Sequence, residues 1–261
     1  MDFDTEIVLG GEGFIGKYLA GELRSQGAHV LVYDLKNGYD LRLSPPPLNH
    51  RNSYVWFLAW DVGGAQYLMN EQNQINILRN NLLLCQTVFP WIAEHDLPST
   101  FVGTQMAGYP NAYGITKLVG EYWAKLTPRC IVSRFWNVYG LEDSSERSHV
   151  VTDLVRSGLD GHVSCLTSGS ERRQFLYVKD CVDGLLHQRK IGQGIADISS
   201  GVWTPIRQVV ETIAREIRTP AQFGDECGYE SIVEPTMPLA GWSPRYSLID
   251  GIRDMLKEID K

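Results

Sequence analysis

The chain has 261 residues, of which 43% are hydrophobic and 21% charged, and its formal net charge is −7. This composition excludes an intrinsically disordered chain, and the acidic balance argues against a protein that coats nucleic acid or an anionic membrane. The longest apolar run, residues 55–60, is too short to span a bilayer. The acidic start leads directly into an apolar segment, so we expect no signal peptide.

The five cysteines are widely spaced and form no Cys-x-x-Cys pair. This pattern is typical of reduced thiols in the cytoplasm and predicts neither a disulfide framework nor a zinc site. We therefore expect a cytoplasmic protein that binds no metal.

The N-terminal part has the pattern of a strand, a glycine turn, a helix and a second strand. Residues 6–10 predict a buried strand, residues 15–23 follow a helical spacing that stops at Gly27, and residues 29–34 predict another strand. This is a βαβ unit with parallel strands.

The glycine turn fits a dinucleotide site because it lies between a predicted strand and a predicted helix. Its glycines let the backbone approach a pyrophosphate, and the helix N-terminus offers amide donors. A glycine turn that binds nothing is the alternative. The residues expected to contact the cofactor here are Gly10, Gly13, Phe14, Ile15 and Gly16.

Asp34 ends the second predicted strand. A carboxylate in this place can hydrogen-bond both ribose hydroxyls of NAD, and it repels the 2′-phosphate of NADP. The sequence therefore favours NAD over NADP, although Lys36 lies close enough to weaken the preference. The alternative is an ordinary acidic residue at a strand end.

Strands and helices continue to alternate along the chain. Strands are predicted at residues 54–59, 100–103 and 130–135, and helices at 70–95 and 112–126, with Pro90 expected to kink or end the first helix. The repeated units predict an α/β fold, a Rossmann-type doubly wound parallel sheet.

The second half of the chain has a looser pattern and predicts a small, partly interleaved C-terminal lobe. Its predicted elements lie at residues 150–157, 174–178, 205–218 and 248–259. We expect an NAD-binding domain of residues 1–138 plus about 174–200. The substrate-binding lobe is then about 139–173 plus 201–261.

Tyr113 and Lys117 are four residues apart on a predicted helix, so their side chains share a face. A nearby ammonium lowers the pKa of a phenol, and such a tyrosine can exchange a proton with a sugar hydroxyl while hydride moves to or from nicotinamide. Thr104 ends the preceding strand, where it can hydrogen-bond the reacting oxygen or cap a turn. A surface Tyr–Lys pair has the same spacing.

Further motifs follow in order. Residues 134–140 read Arg-Phe-Trp-Asn-Val-Tyr-Gly, residues 173–180 read Arg-Gln-Phe-Leu-Tyr-Val-Lys-Asp, and residues 241–244 read Gly-Trp-Ser-Pro. With the glycine turn, Asp34 and the Thr–Tyr–Lys set, they resemble the extended short-chain dehydrogenases, the NAD-dependent epimerase/dehydratase family that modifies nucleotide sugars. The resemblance covers nearly the whole chain.

The resemblance implies catalytic roles for Thr104, Tyr113 and Lys117, with Lys117 also contacting the cofactor. On the substrate side it implies a contact from Asn137 and a clamp on the diphosphate by Arg173, whose guanidinium fork suits a phosphate. A turn asparagine and a surface arginine are the alternatives. Further cofactor contacts are implied for Asp40, Leu41, Leu58 and Ala59.

Two differences between this sequence and the family's motifs reduce the range of reactions that we expect. Residues 104–106 read Thr-Gln-Met where the family's dehydratases have Thr-Asp-Glu, which argues against a 4,6-dehydratase. Ser148-His149-Val150 resembles the segment that carries an acid/base histidine in GDP-fucose synthase-like enzymes, so His149 is a fourth catalytic candidate or an ordinary residue at a helix start. Met106 stands where those enzymes have a cysteine, and we expect it to contact substrate.

The expected function is NAD-dependent epimerisation or reduction of a nucleotide-diphosphate sugar. The alternatives are a reductase of a non-nucleotide carbonyl or lactone, and a cofactor-binding regulator without turnover. No nucleic acid or membrane partner is expected. Family members commonly dimerise through a four-helix bundle, which implies a homodimer here, formed by helices 70–95 and 112–126 with apolar residues on their outward faces: Leu83, Leu84, Val119, Tyr122 and Trp123.

Overall fold

The computed structural model describes residues 3–48, 52–143, 147–228 and 234–259. The strands of its central sheet are β1 Thr5–Leu9, β2 His29–Tyr33, β3 Ser53–Phe57, β4 Ser99–Thr104, β5 Cys130–Phe135 and β9 Ile195–Ile198. All six are parallel, in the order β2-β1-β3-β4-β5-β9. The predicted Rossmann-type parallel sheet is confirmed.

Helices cover both faces of this sheet. They are α1 Phe14–Ser25, α3 Glu71–Glu94, α4 Ala112–Leu126 and α6 Val178–Ile191, with the short α2 Ala65–Met69 before α3. Alternate strand residues point to opposite sides. Val8 and Trp56 therefore pack toward α1 and α6, whereas Ile7 and Val55 pack toward α3 and α4.

Two small sheets lie outside the central sheet. Their strands are β6 Asn137–Tyr139, β7 Val163–Cys165, β8 Arg172–Tyr177, β10 Trp203–Pro205 and β11 Ala221–Phe223. The strand orders are β10-β8-β6 and β11-β7. The remaining helices are α5 Val150–Leu159, α7 Ile206–Ile217 and α8 Leu248–Ile259. None of the described helices is long and apolar enough to cross a membrane.

The structure corrects two expectations about α3. The helix does not end at Pro90 but runs on to Glu94. Leu84 does not face outward but is buried against the central sheet. Pro90 is itself exposed, and its ring lies only four residues before the end of the helix, where few backbone bonds remain to be lost.

Candidate functional site

One cleft runs along the carboxyl ends of β1 to β5, which is where open parallel sheets bind ligands. Every sequence-predicted site residue borders one continuous depression, which includes this cleft and also extends to the opposite edge of the sheet at Tyr54, Pro98 and Ile131. The sequence-predicted residues are Gly10, Gly13, Phe14, Ile15, Gly16, Asp34, Asp40, Leu41, Leu58, Ala59, Thr104, Met106, Tyr113, Lys117, Asn137, His149 and Arg173.

The glycine turn is packed so closely that side chains would not fit at two of its positions. Gly10 has a φ of +86°, and a Cβ there would lie 2.5 Å from the backbone nitrogen of Ala59. A Cβ on Gly16 would lie 2.2 Å from the carbonyl oxygen of Gly10. The turn therefore lies directly against the end of β3, and its backbone forms the narrow floor of this part of the cleft.

The N-terminus of α1 opens onto this floor. Gly13 is its N-cap residue and has no side chain to satisfy the first amides of the helix. Such amides and the helix dipole favour phosphate oxygens. The donor set and the closeness of the backbone fit the pyrophosphate of a dinucleotide.

Asp34 caps the short 3-10 turn Leu35–Asn37 and is also tied to the glycine turn. Its carboxylate accepts hydrogen bonds from the backbone nitrogen of Lys36 at 2.9 Å and of Glu12 at 3.1 Å. The carboxylate thus lies beside the glycine turn, as a ribose contact would require.

Asp40 and Leu41 have different surroundings. Leu41 is buried in the core between the sheet and α3. Asp40 forms an ion pair with Arg42 at 2.7 Å, and hydrogen bonding from that guanidinium lowers the pKa of the Asp40 carboxyl. Arg42 also donates to Asn80 at 2.9 Å, which fixes this wall of the cleft to α3.

A loop of the second lobe closes against the segment that follows β3. The backbone nitrogen of Gly64 donates to the carbonyl oxygen of Arg147 at 2.8 Å. A Cβ on Gly64 would lie 2.1 Å from the carbonyl oxygen of Ser148. Arg147 donates to Asp61 at 3.0 Å, and its guanidinium lies 4.2 Å from the ring centre of Tyr67. The loop is therefore held on the Rossmann half by both backbone and side-chain contacts.

Tyr113 lies near the start of α4 and Thr104 at the end of β4, and both line the cleft. Burial raises the pKa of Tyr113 to about 12, and the nearby Thr104 side chain acts in the opposite direction. The sequence predicts that Lys117 lowers this pKa, but its ammonium lies 5.9 Å from the Tyr113 ring centre and is engaged elsewhere.

Lys117 is almost completely buried, at 3% exposure. Its ammonium donates to the carbonyl oxygen of Val102 at 2.7 Å and lies 4.3 Å from the ring centre of Trp60 and 5.1 Å from that of Phe101. Burial lowers the pKa of Lys117 to about 7, partly offset by Cys85 and Glu121. The lysine is therefore poised to gain or lose a proton near neutral pH.

Glu121 joins the helix of Lys117 to strand β5. Its carboxylate receives two hydrogen bonds from Arg134, from Nε at 3.0 Å and from Nη2 at 2.7 Å. A Cβ on Gly103 would lie 2.6 Å from this carboxylate, so the strand must have a glycine at this position. The bidentate pair fixes the helix beside the end of β4.

The substrate side of the cleft is lined by polar and aromatic side chains. The amide nitrogen of Gln105 donates to the side-chain oxygen of Asn137 at 3.2 Å. Trp136 and Trp203 make an edge-to-face contact at 6.0 Å between ring centres. Arg173 donates to the carbonyl oxygen of Arg172 at 2.7 Å and lies on the same lining.

His149 is the N-cap residue of α5. Its Nδ1 lies 3.0 Å from the Glu142 carboxylate, and its ring centre lies 6.0 Å from that of Phe14 at the start of α1. The second lobe thereby brings an imidazole to the glycine-turn side of the cleft.

Several residues of this site were not found from the sequence. Glu121 follows Lys117 by one helical turn, a spacing that signals a shared face. The others are brought together from distant segments and carry no local signal. They are Trp60, Asp61, Gln105, Arg134, Glu142 and Arg147.

The buried Lys117 makes stability depend on pH. Its pKa falls from 10.5 in the unfolded chain to about 7 in the folded one, so the unfolded state binds more protons between these values and stability rises with pH there. Between pH 6 and 8.5, we expect the free energy of unfolding to rise by about 2 kcal/mol more in the wild type than in Lys117→Met.

Urea unfolding at the two pH values measures this difference. Lys125→Met, on the exposed side of the same helix, is the matched control and should follow the wild type. Parallel pH dependence in the wild type and Lys117→Met would contradict the burial argument.

Comparison with known proteins finds a matching family model, curated relatives and solved structures. The family model for the NAD dependent epimerase/dehydratase family matches residues 61–191. GDP-mannose 3,5-epimerase 1 of Oryza sativa subsp. indica is 23% identical over 300 residues, covering 94% of this chain and 79% of that protein. The alignment is longer than this chain, so the relative carries insertions.

Two solved structures are similar over nearly the whole chain. The UDP-glucose 4-epimerase of Thermus thermophilus in complex with NAD has a TM-score of 0.81 at 19% identity, covering 98% of this chain and 99% of that one. TunA, an NAD dependent NDP-hexosamine 5,6-dehydratase of tunicamycin biosynthesis, has a TM-score of 0.76 at 18% identity, covering 98% of both chains. An epimerase and a dehydratase thus share this fold. The family match spans half of the chain and includes Thr104, Tyr113 and Lys117, so the chain belongs to the NAD-dependent epimerase/dehydratase family, as its motifs indicate.

Proposed function

We propose that the protein is an NAD-dependent epimerase or reductase of a nucleotide-diphosphate sugar. The observation that carries the proposal is that Thr104 and Tyr113, with Lys117 one turn along α4, line the same cleft as the glycine turn. A cofactor-binding regulator would not need this set of side chains.

The proposed reaction begins at Tyr113, whose phenolate accepts the proton of a sugar hydroxyl. The glycine turn and Asp34 would hold NAD, which would supply the acceptor for the hydride of the hydroxyl-bearing carbon and so allow a ketone to form. Thr104 hydrogen-bonds the reacting oxygen, and Lys117 lies one turn along α4 as the nearest cationic side chain on the same helix. Return of the hydride to the opposite face gives epimerisation, and exchange of the cofactor gives net oxidation or reduction.

The fate of the ketone depends on which acids and bases lie nearby. Gln105 and Met106 supply neither an acid nor a base, which supports the proposal that the enzyme is not a 4,6-dehydratase. His149 is proposed as a further acid/base group, since an imidazole can exchange protons near neutral pH.

The proposed substrate site lies between two lobes of the chain. We propose the Rossmann domain at residues 1–138 plus about 174–200, because β9 completes the central sheet. The remaining residues then form the substrate-binding lobe. Arg173, Asn137 and Met106 are proposed to contact the sugar nucleotide, with Arg173 on its diphosphate.

We propose that the protein is a homodimer. Apolar side chains recur at helical spacing on exposed positions of two adjacent helices. They are Ile75 and Leu78 on α3 and Ile115, Leu118, Tyr122 and Leu126 on α4. A four-helix bundle with a second copy would cover them.

The free cysteines support a cytoplasmic location.

The reaction is tested by screening the protein with NAD against UDP-, GDP-, dTDP-, CDP- and ADP-sugars, following product mass and stereochemistry. With the active sugar, Tyr113→Phe should lower turnover by about 10²-fold or more, because the ring remains but the proton acceptor is lost. NAD binding, measured by calorimetry, should be unchanged.

Tyr122→Phe is the matched control, since this tyrosine lies on the same helix but is exposed. Near-normal turnover by Tyr113→Phe would overturn the role of the tyrosine. Absence of any turned-over nucleotide sugar would favour the non-nucleotide reductase or the regulator.

Arg173 tests the substrate class. Arg173→Ala should raise KM for the nucleotide sugar about tenfold or more, because a charge-assisted phosphate contact is lost. Arg172→Ala, on the other face of the same strand, is the control. An unchanged KM in Arg173→Ala would remove this arginine from the diphosphate site.

The dimer is tested by light scattering at micromolar protein concentration. The wild type should have twice the chain mass, and Leu118→Arg should be monomeric because a charge in an apolar interface is unfavourable. Leu166→Arg, at an exposed leucine elsewhere on the surface, should remain dimeric. A monomeric wild type would overturn the proposal.

A further inference from the structure

The carboxylate of Glu142 lies in the loop after β6 and is buried, with 9% of its side chain exposed. It accepts a hydrogen bond from the backbone nitrogen of His149 at 2.6 Å and from the hydroxyl of Thr152 at 3.0 Å. Its two oxygens also lie 3.1 and 3.0 Å from Nδ1 of His149. The carboxylate is thus enclosed by donors, and the histidine ring is one of them.

The loop that carries Glu142 is itself fixed. Arg156 of α5 donates to the carbonyl oxygen of Glu142 at 2.7 Å. The Thr152 hydroxyl also lies 3.1 Å from the carbonyl oxygen of Gly140. Because both anchors belong to α5, Glu142 and His149 keep their relative positions when the helix moves as a unit.

The other side of the imidazole faces the cleft. The ring centre lies 6.0 Å from that of Phe14 at the start of α1, and His149 is on the lining of the cleft. The side chain is 38% exposed, and Nε2 makes no hydrogen bond within the described part of the chain. With Nδ1 directed at the carboxylate, Nε2 is the nitrogen left for a ligand.

A carboxylate that accepts from one ring nitrogen fixes the tautomer and orientation of a histidine. We propose that Glu142 is a positioning residue, which holds neutral His149 with its proton on Nδ1 and presents basic Nε2 to the cleft. This rests on the proposed function. There Nε2 takes the proton from the carbon beside the ketone: the C–H bond breaks, the N–H bond forms and the electron pair moves to the ketone oxygen. Reversal returns the proton to carbon.

The tautomer is measured directly, without substrate. Long-range proton–nitrogen spectra of the full chain labelled with ¹⁵N-histidine, with NAD added, report which ring nitrogen carries the proton. His149→Gln assigns the signal among the six histidines. We expect protonated Nδ1 in the wild type and a shift toward protonated Nε2 in Glu142→Gln, whose amide can donate to Nδ1. A wild type with its proton on Nε2, or an unchanged tautomer in Glu142→Gln, would overturn the proposal.

Thr152→Val separates positioning from a merely structural role. It removes a second contact of the same carboxylate and leaves the His149 contact, so the tautomer should stay as in the wild type. If Thr152→Val shifts the tautomer as far as Glu142→Gln does, general loosening of the helix start explains the effect and the proposal fails.

Activity gives an independent readout once a sugar is turned over. Glu142→Gln should lower incorporation of solvent deuterium beside the ketone about tenfold or more, leave KM unchanged and leave NAD reduction by the sugar unchanged. Glu142→Asp should recover part of the exchange. Equal loss of NAD reduction and exchange would overturn the positioning role. Failure of the proposed function itself would instead appear as no turnover by the wild type, with the tautomer still measurable.

Discussion

The close approach of the glycine turn to the end of β3 is the constraint on which the cleft depends. Gly10 adopts a left-handed conformation against the backbone of Ala59, and Gly16 lies against the Gly10 carbonyl. Because no Cβ separates these segments, the first helix begins at the edge of the sheet with its amides directed into the cleft. The cofactor floor, the position of Asp34 beside it and the direction of α1 all follow from this contact.

Burial controls the chemistry at the other end of the cleft. Removal of water favours the neutral forms of both Tyr113 and Lys117, since it raises the pKa of the phenol and lowers that of the ammonium. Thr104 opposes the first shift, and Glu121, held by Arg134, opposes the second. Burial therefore brings the pKa of Lys117 close to neutral pH and keeps Tyr113 protonated there, in surroundings where each hydrogen bond matters more than in water.

Much of the architecture could be predicted because its signals are local. The spacing of apolar residues predicted α4, β5 and α8 with the bounds that the structure shows. The spacing of the glycines predicted the turn between β1 and α1. The 14-residue helix α6 was not predicted, and neither were β6, β7, β10 and β11, since strands of three residues carry too little periodicity. Pro90 shows the opposite kind of error, in which a local signal is present but misleads. The rule that a proline ends a helix is overridden here by the packing of α3 on the sheet.

The sequence by itself determined the parallel sheet, the glycine turn, the Thr104–Tyr113–Lys117 set and the family, because each depends on residue type at short spacing. Only the tertiary structure decided what surrounds those residues. Lys117 points to Val102 and Trp60, Glu142 meets His149, and Arg147 reaches Asp61 across the cleft. Apart from Glu142 and His149, these partners lie on different segments of the chain, and their side-chain contacts exist only once the lobes are packed. The physical reason is that spacing fixes which face of an element a residue occupies, whereas packing fixes what lies opposite it.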